Sequence, residues 1–413
     1  MRSPTAEADG RSRPRFVSFV DVRTGLAWYV CSLIPVLLGV HLGFGALQPG
    51  REIPYGQDSV LLRWLAWDGG QFLQIMDEGY SFNPDRISNV VVFPGYPSVA
   101  LCVRMMTGVS SAAALLLVSH VSLMAVLVFW SHYLRLRFPD QRNARFCGMA
   151  VLSVFPTTFF FRMAYSESLF LLLALLVLTG LQQGWRPIVI GLLTGAAVGV
   201  RLVGICLVPA VILFVLSQQR PVRGRVGTLA LTLPLCLWGL GAYMLFLGSR
   251  FDNPLVFSEA QQQFFLRPPV SMVQHWYRLL TLEPVWGNYV RGGSGYWGRF
   301  DPDLPPYLSL QFANPVYFCV TSIAIVVGWA KRWLTDAEFA FGASLLLLAY
   351  IGRAEEFCMG CQARYAATAL PAYLVGGRML AGLPHLYAAV VLVIATSLLT
   401  VYSALFAAWY FLL

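Results

Sequence analysis

Apolar residues in this chain come in runs of bilayer length separated by short polar connections, which predicts an all-α polytopic membrane protein. Placing helices on the runs gives about eleven spans by the length rule. They fall at 26–47, 112–134, 146–161, 167–183, 188–200, 203–217, 228–248, 314–330, 337–352, 365–381 and 386–411. Residues 91–107 are apolar enough to suggest a further span, but counting them would move the Arg-rich connection at 135–145 to the other side. They are read instead as a helix lying at the outer surface, broken at its start by Pro94 and Pro97. The spans 188–200 and 203–217 are short, so they are tilted or joined by a shallow turn that holds Arg201 near the outer surface. No internal repeat of the kind that marks many transporters is visible.

Composition agrees with that pattern. The chain is 57% hydrophobic and 12% charged over 413 residues, with a mean hydropathy of +0.64, values outside the range of a soluble domain. Residues 1–25 are polar and Arg-rich, and the first apolar run carries Pro35 and His41, so no cleavable signal peptide is expected. The head, 1–25, reads as cytosolic and disordered. An N-terminal module over 26–248 includes an outer loop at 48–111. A larger outer loop covers 249–312, and further spans fill 313–413.

The net charge of +9 does not point to nucleic acid, because the basic residues are scattered and only Lys331 is a lysine. Arg135, Arg137, Arg142 and Arg145 share one short connection, Arg220, Arg223 and Arg225 another, and Lys331 and Arg332 a third. By the positive-inside rule these connections and the head are cytosolic. Acids collect on the other side: Glu52, Asp58, Asp68, Asp77, Glu78 and Asp85 in the first outer loop, and Asp252, Glu259, Glu283, Asp301 and Asp303 in the second.

Candidate chemistry sits in a few polar islands. The first is WLAWDGGQFLQIMDEGY, residues 64–80. A carboxylate at membrane level is costly and commonly marks a substrate path or a chemical step. Asp68 reads either as a general base or as a helix N-cap. Gly69 and Gly70 remove bulk beside it, and Trp64 and Trp67 offer flat faces to a sugar ring or anchor the helix at the interface. Gln71 lies in the same motif. Asp77 and Glu78 end the expected surface helix, where acids oppose the helix dipole, and are second-rank candidates.

The second island is FRMAYSESLF, residues 161–170. Ser166 and Glu167 suit a helix start, and capping alone accounts for them. The functional alternative has Tyr165 and Glu167 bonding a hydroxyl-rich ligand, with Arg162 holding a phosphate. Arg201 and Arg364 read as interfacial snorkelling residues or as a phosphate site for a lipid-linked donor. Cys358 and Cys361 form a lone CxxC that suits a local disulfide or unpaired thiols. With His41, His120, His132, His275 and His385 scattered, no dedicated metal cage is expected, and no cofactor is required.

Taken in order, WDGGQFLQIMDEGY, VVFPGYP (91–97), FPTTFFFRMAYSESLF (155–170) and VRLVG (200–204) resemble the PIG-V family. That family comprises the second mannosyltransferase of GPI-anchor synthesis and its bacterial relatives, among the GT-C membrane glycosyltransferases. The likeness is good over about 55–210; FSEAQQQFFLRP (257–268) and RYAATALPAY (364–373) add to it. The motif here has Gly69-Gly70 followed by Phe72, and Arg201 lacks the Ser-Asn that often follows it, which leaves the acceptor open.

The resemblance implies a GT-C fold and a polyprenyl- or dolichyl-phosphate sugar donor, mannose by family. It also implies a lipid or glycan acceptor on the extracytoplasmic face. Asp68 would deprotonate the acceptor, and Arg201 or Arg364 would stabilise the departing phosphate; a divalent metal is not required. The excess of Arg over Lys suits a GC-rich genome and a bacterium, and the expected location is then the inner membrane. A GT-C transferase of another sugar, a lipid-sugar flippase and a non-catalytic scaffold remain the alternatives.

Overall fold

A computed structural model describes residues 16–50, 59–219, 221–300, 302 and 304–410. Most of the expected head, with Glu52, Asp58, Arg220, Asp301 and Asp303, lies outside the described residues. Every regular element among the described residues is a helix. In chain order they are α1 (Phe19–Gly45), α2 (Val60–Arg63), α3 (Asp68–Glu78), α4 (Gly95–Thr107), α5 (Ser111–Arg137), α6 (Arg142–Val154) and α7 (Glu167–Gln183). Next come α8 (Pro187–Val200), α9 (Val208–Ser217), α10 (Val222–Cys236), α11 (Trp238–Phe251), α12 (Val256–Ala260), α13 (Met272–Leu280) and α14 (Glu283–Gly287). The last are α15 (Leu310–Ala330), α16 (Asp336–Arg353), α17 (Gln362–Thr368), α18 (Leu370–Ala381) and α19 (His385–Ala407).

Four helices, α1, α5, α15 and α19, are long and apolar enough to cross a membrane, and the bent pair α10–α11 makes a fifth if it is one span. The chain is an integral membrane protein. The other expected spans are helical but shorter or broken, and proline explains the breaks. The expected span 146–161 ends at Val154, because Phe155 precedes Pro156 and turns extended; a 3-10 segment follows over Pro156–Phe161. Pro234 precedes the break at Leu237, where α10 and α11 meet at 46°. The expected span 365–381 divides at Ala369, just ahead of Pro371. Within 91–107, expected as a surface helix, the chain forms α4, with Pro94 as its N-cap. Its 13 residues reach ~20 Å, short of the ~30 Å hydrocarbon layer.

The expected disordered head gives way to helix earlier than the apolar pattern suggests. Ser18 and Asp21 form a capping box at the start of α1. Asp21 is fully buried and accepts hydrogen bonds from Ser131 Oγ at 3.0 Å and from Arg135. Beside it, Arg137 Nε donates to Glu338 Oε1 at 2.7 Å, and the Tyr133 hydroxyl donates to the same oxygen at 2.6 Å. These contacts gather the starts of α1 and α16 at the Arg-rich end of α5. At the other end of α5, some 40 Å away by helix rise, Asp77 of α3 accepts from Ser111 Oγ at 2.5 Å and from Arg104 at 3.2 Å.

The stretch 249–312 is more than a loop, since it carries α12, α13 and α14. Gln263 joins it to the stretch 48–111: its Oε1 accepts from Ser88 N at 3.0 Å and its Nε2 donates to the Asn83 carbonyl at 2.8 Å. The amides of Leu266 and Arg267 both donate to the Glu356 carbonyl, at 2.8 and 3.1 Å.

Small residues let the two terminal spans meet closely. A Cβ placed on Gly43 of α1 would lie 2.2 Å from the Ala404 carbonyl oxygen of α19, and one on Gly39 would lie 2.3 Å from that of Thr400. Gly43→Leu is therefore expected to cost about 1–3 kcal/mol through overpacking, visible as a lower Tm in detergent. Gly45→Ala, where a Cβ meets nothing within 4 Å, is the matched control. Equal Tm values for the two variants would remove the close contact.

Candidate active site

α3 starts with its first residue, Asp68, held in place by a buried tyrosine. Trp67 precedes it with φ 61°, a left-handed conformation uncommon for a non-glycine residue. The Tyr165 hydroxyl fixes that turn, donating to the Ala66 carbonyl at 3.1 Å and accepting from the Asp68 amide at 3.2 Å. The Ala164 amide adds a bond to the Trp64 carbonyl at 3.0 Å. The Asp68 carboxylate is thus presented at a rigid turn and does not serve as an N-cap. That position belongs to Trp67, which makes no side-chain cap.

Three further charged side chains converge on Asp68 from distant parts of the chain. Arg364, on α17, donates from Nη1 to Asp68 Oδ2 at 2.5 Å and from Nε to Glu167 Oε1. Arg201, at the end of α8, pairs with the same Glu167 oxygen at 2.6 Å and donates to Ser166 Oγ at 3.1 Å. Ser166 therefore accepts from Arg201 and makes no side-chain cap on α7, contrary to expectation. The Arg364 guanidinium lies 4.5 Å from the centre of the Tyr165 ring and 5.3 Å from that of Phe160, and Arg201 lies 5.9 Å from that of Tyr365.

Two carboxylates and two guanidiniums alternate in this chain, so the cluster is formally neutral and each buried charge has a partner. Their exposures differ in a way that sorts their roles. The side chain of Glu167 is 0% exposed and that of Arg364 9%, whereas that of Asp68 is 33% exposed. Asp68 is the member that a ligand can reach. Glu167 is the interior hub, and its Oε2 is buried without a hydrogen-bond partner. It sits too deep for the direct ligand contact expected of it.

Other candidates lie elsewhere. Arg162 is buried and turned toward α1, where Nη2 donates to Ser32 Oγ at 2.5 Å and the guanidinium lies 5.9 Å from the Tyr29 ring centre. Trp64 is core, packed against His120 with ring centres 5.8 Å apart, so it offers no face to a sugar. Trp67 is half-buried and packs on Trp409 at 5.7 Å. Gln71 is half-buried one turn beyond Asp68. Asp77 ties α3 to Arg104 and Ser111, and Glu78 accepts from Gln74 at 3.0 Å on the exposed side of the helix. Both belong to the far end of α3 and outside the cluster.

Sequence reasoning missed two features. Ser166, Phe160 and Tyr365 line the guanidiniums, and only their adjacency to the charged residues signals them. His275, Glu355 and Glu356 also come together, with donor atoms all within 4.8 Å of one another. The CxxC thiols are unpaired. Burial pushes the Cys358 thiol up to about 11 and raises that of Cys361 as well, so both are protonated at neutral pH.

Beyond the far end of α3 an apolar groove of about 400 Å³ opens between α4 and α11, lined by Ile75, Met76, Tyr80, Pro97, Leu101 and Phe246 among others.

No family model and no curated protein matches the chain. Among solved structures it is similar to the Archaeoglobus fulgidus oligosaccharyltransferase tethered to an acceptor peptide containing the NVT sequon. That match has 13% identity and a TM-score of 0.42, covering 93% of this chain and 55% of that one. It is also similar to the archaeal oligosaccharyltransferase AglB from the same organism, in complex with an inhibitory peptide and a dolichol-phosphate. Here identity is 12% and the TM-score 0.45, over 95% of this chain and 56% of that one. The chain spans about half the length of these proteins.

Proposed function

We propose that the chain is an inverting GT-C glycosyltransferase of the PIG-V type. It transfers mannose from a polyprenyl-phosphate donor to a lipid or glycan acceptor at the extracytoplasmic face. The observation that carries this reading is the convergence of Asp68, Glu167, Arg201 and Arg364 from four separate segments, with Asp68 the exposed member. These residues lie in the motifs that resemble the family.

In this reading Asp68 accepts the proton of the acceptor hydroxyl as its oxygen attacks the anomeric carbon. The bond from that carbon to the donor phosphate breaks, and the lipid phosphate leaves as an anion. A phosphate leaving group needs no general acid, so one carboxylate suffices. Stabilising the developing negative charge is the other requirement, and preorganised guanidiniums supply it. Arg364 and Arg201 are held for that task by Glu167, so the donor phosphate meets cations whose positions are already set. The apolar groove beside α4 and α11 accommodates part of the polyprenyl chain.

The test is sugar transfer in membranes expressing the chain, with radiolabelled polyprenyl-phosphate-mannose against glucose and arabinose analogues and vector-only membranes. Mannose incorporation well above the vector is expected. Preference for another sugar would move the specificity within the class. No transfer above the vector from any donor would overturn the reading.

A further inference from the structure

Away from the cluster around Asp68, α13 meets the turn between α16 and α17. His275 Nδ1 lies 2.6 Å from Glu355 Oε2 and 3.4 Å from Glu356 Oε1. We propose that His275, Glu355 and Glu356 form a binding site for a first-row divalent cation of the Zn²⁺ type, which clamps the outer segment 249–312 to the turn ahead of α17.

The donor set is one imidazole nitrogen and two carboxylates, a three-ligand set that leaves one tetrahedral position open. With bonds of about 2.0–2.1 Å, two tetrahedral ligands stand roughly 3.3 Å apart, and the His275–Glu356 separation of 3.4 Å matches. His275 and Glu355 stand closer, at hydrogen-bond distance, and need to part by less than about 1 Å to admit the ion.

The surroundings supply outer-shell support. Arg278 Nη1 holds Glu355 Oε1 at 2.6 Å, which leaves Oε2 turned toward His275. The Glu356 backbone is pinned by the Leu266 and Arg267 amides. An ion-pair account alone satisfies Glu355, which is buried with both oxygens partnered. It does not satisfy Glu356, whose Oε2 is sealed from solvent without a hydrogen-bond partner. A buried carboxylate oxygen left in that state is costly, and a cation removes the cost.

The position gives the site a use. The turn from Glu355 to Cys361 runs directly into α17, and Cys358, Met359 and Cys361 all take positive φ within it. Such strain persists only where surrounding contacts hold it. A cation on Glu355 and Glu356 would add a contact at the start of the turn that leads to Arg364.

The test uses the full chain purified in detergent and stripped with EDTA. Calorimetric titration is expected to give one Zn²⁺ per chain, with Tm raised by roughly 2–5 °C at saturation. Co²⁺ in its place is expected to give the visible absorption of a tetrahedral nitrogen–oxygen site. His275→Gln and Glu356→Gln are each expected to weaken Zn²⁺ binding by about 10–100-fold. Glu356→Gln leaves the contacts of Glu355 with His275 and Arg278 intact, so the variant should stay folded in EDTA. Absence of stoichiometric binding, or binding unchanged in both variants, would overturn the site. Neither readout depends on sugar transfer, so the outcome is separable from the proposed enzymatic activity.

Discussion

Asp68→Asn is expected to lower kcat for sugar transfer by about 10²–10⁴-fold, the usual contribution of a positioned general base. The substitution keeps the shape of the side chain and an oxygen facing Arg364, so the bond from Arg364 Nη1 survives in neutral form. With the side chain 33% exposed, the charge lost is partly replaced by solvent, and the variant should fold with a Tm close to the wild type. KM for the donor should change little, because an interaction made chiefly in the transition state appears in kcat. Asp77→Asn is the contrasting variant. It loosens the contact of α3 with Arg104 and Ser111 and should leave kcat within a few-fold of wild type. Steady-state transfer assays on both proteins, with melting curves alongside, decide the matter. Asp68→Asn retaining wild-type kcat would remove the base.

How far the sequence reaches is clear from particular residues. The helices were legible because apolar runs of bilayer length leave few alternatives, and the start of α4 was legible from Pro94 and Pro97. The interruptions at Pro156, Pro234 and Pro371 were visible as residues, but hydropathy averages over them, so unbroken spans were expected. Asp68, Arg201 and Arg364 stood out individually as charges close to apolar runs. Their assembly did not, because the Asp68–Arg364 contact joins residues 296 apart in the chain and no local pattern encodes it. Arg162 shows the converse. It adjoins Tyr165 in sequence, yet the 3-10 segment ending at Phe161 turns it toward Ser32. Trp64 and Trp67 look equivalent in the motif, and packing separates them, one against His120 and the other against Trp409. Asp21 fell within the expected disordered head and Glu338 at the start of an expected span, and neither stood out because their partners, Arg135 and Arg137, lie far along the chain.

Glu167→Ala should have the largest effect on stability. Arg364 and Arg201 both pair with Glu167 Oε1, and the Glu167 side chain is fully buried. Removing the carboxylate leaves two guanidiniums with one partly exposed aspartate between them. Breaking a buried pair by deleting one partner typically costs about 3–5 kcal/mol, since the remaining charge stays desolvated. A chemical or thermal denaturation series in detergent should therefore show a loss of that size. Transfer activity of the folded fraction should fall too, with KM for the donor rising as the two cations lose their fixed positions. The matched test is a double-mutant cycle of Glu167→Gln with Arg201→Gln. If Glu167 acts through the guanidiniums, the double variant will be more stable than the sum of the single losses predicts, by about 0.5–3 kcal/mol. Additive losses, or a Glu167→Ala protein with wild-type stability, would mean that the cluster is not organised around this carboxylate. The phosphate-stabilising role of Arg201 would then have to stand without it.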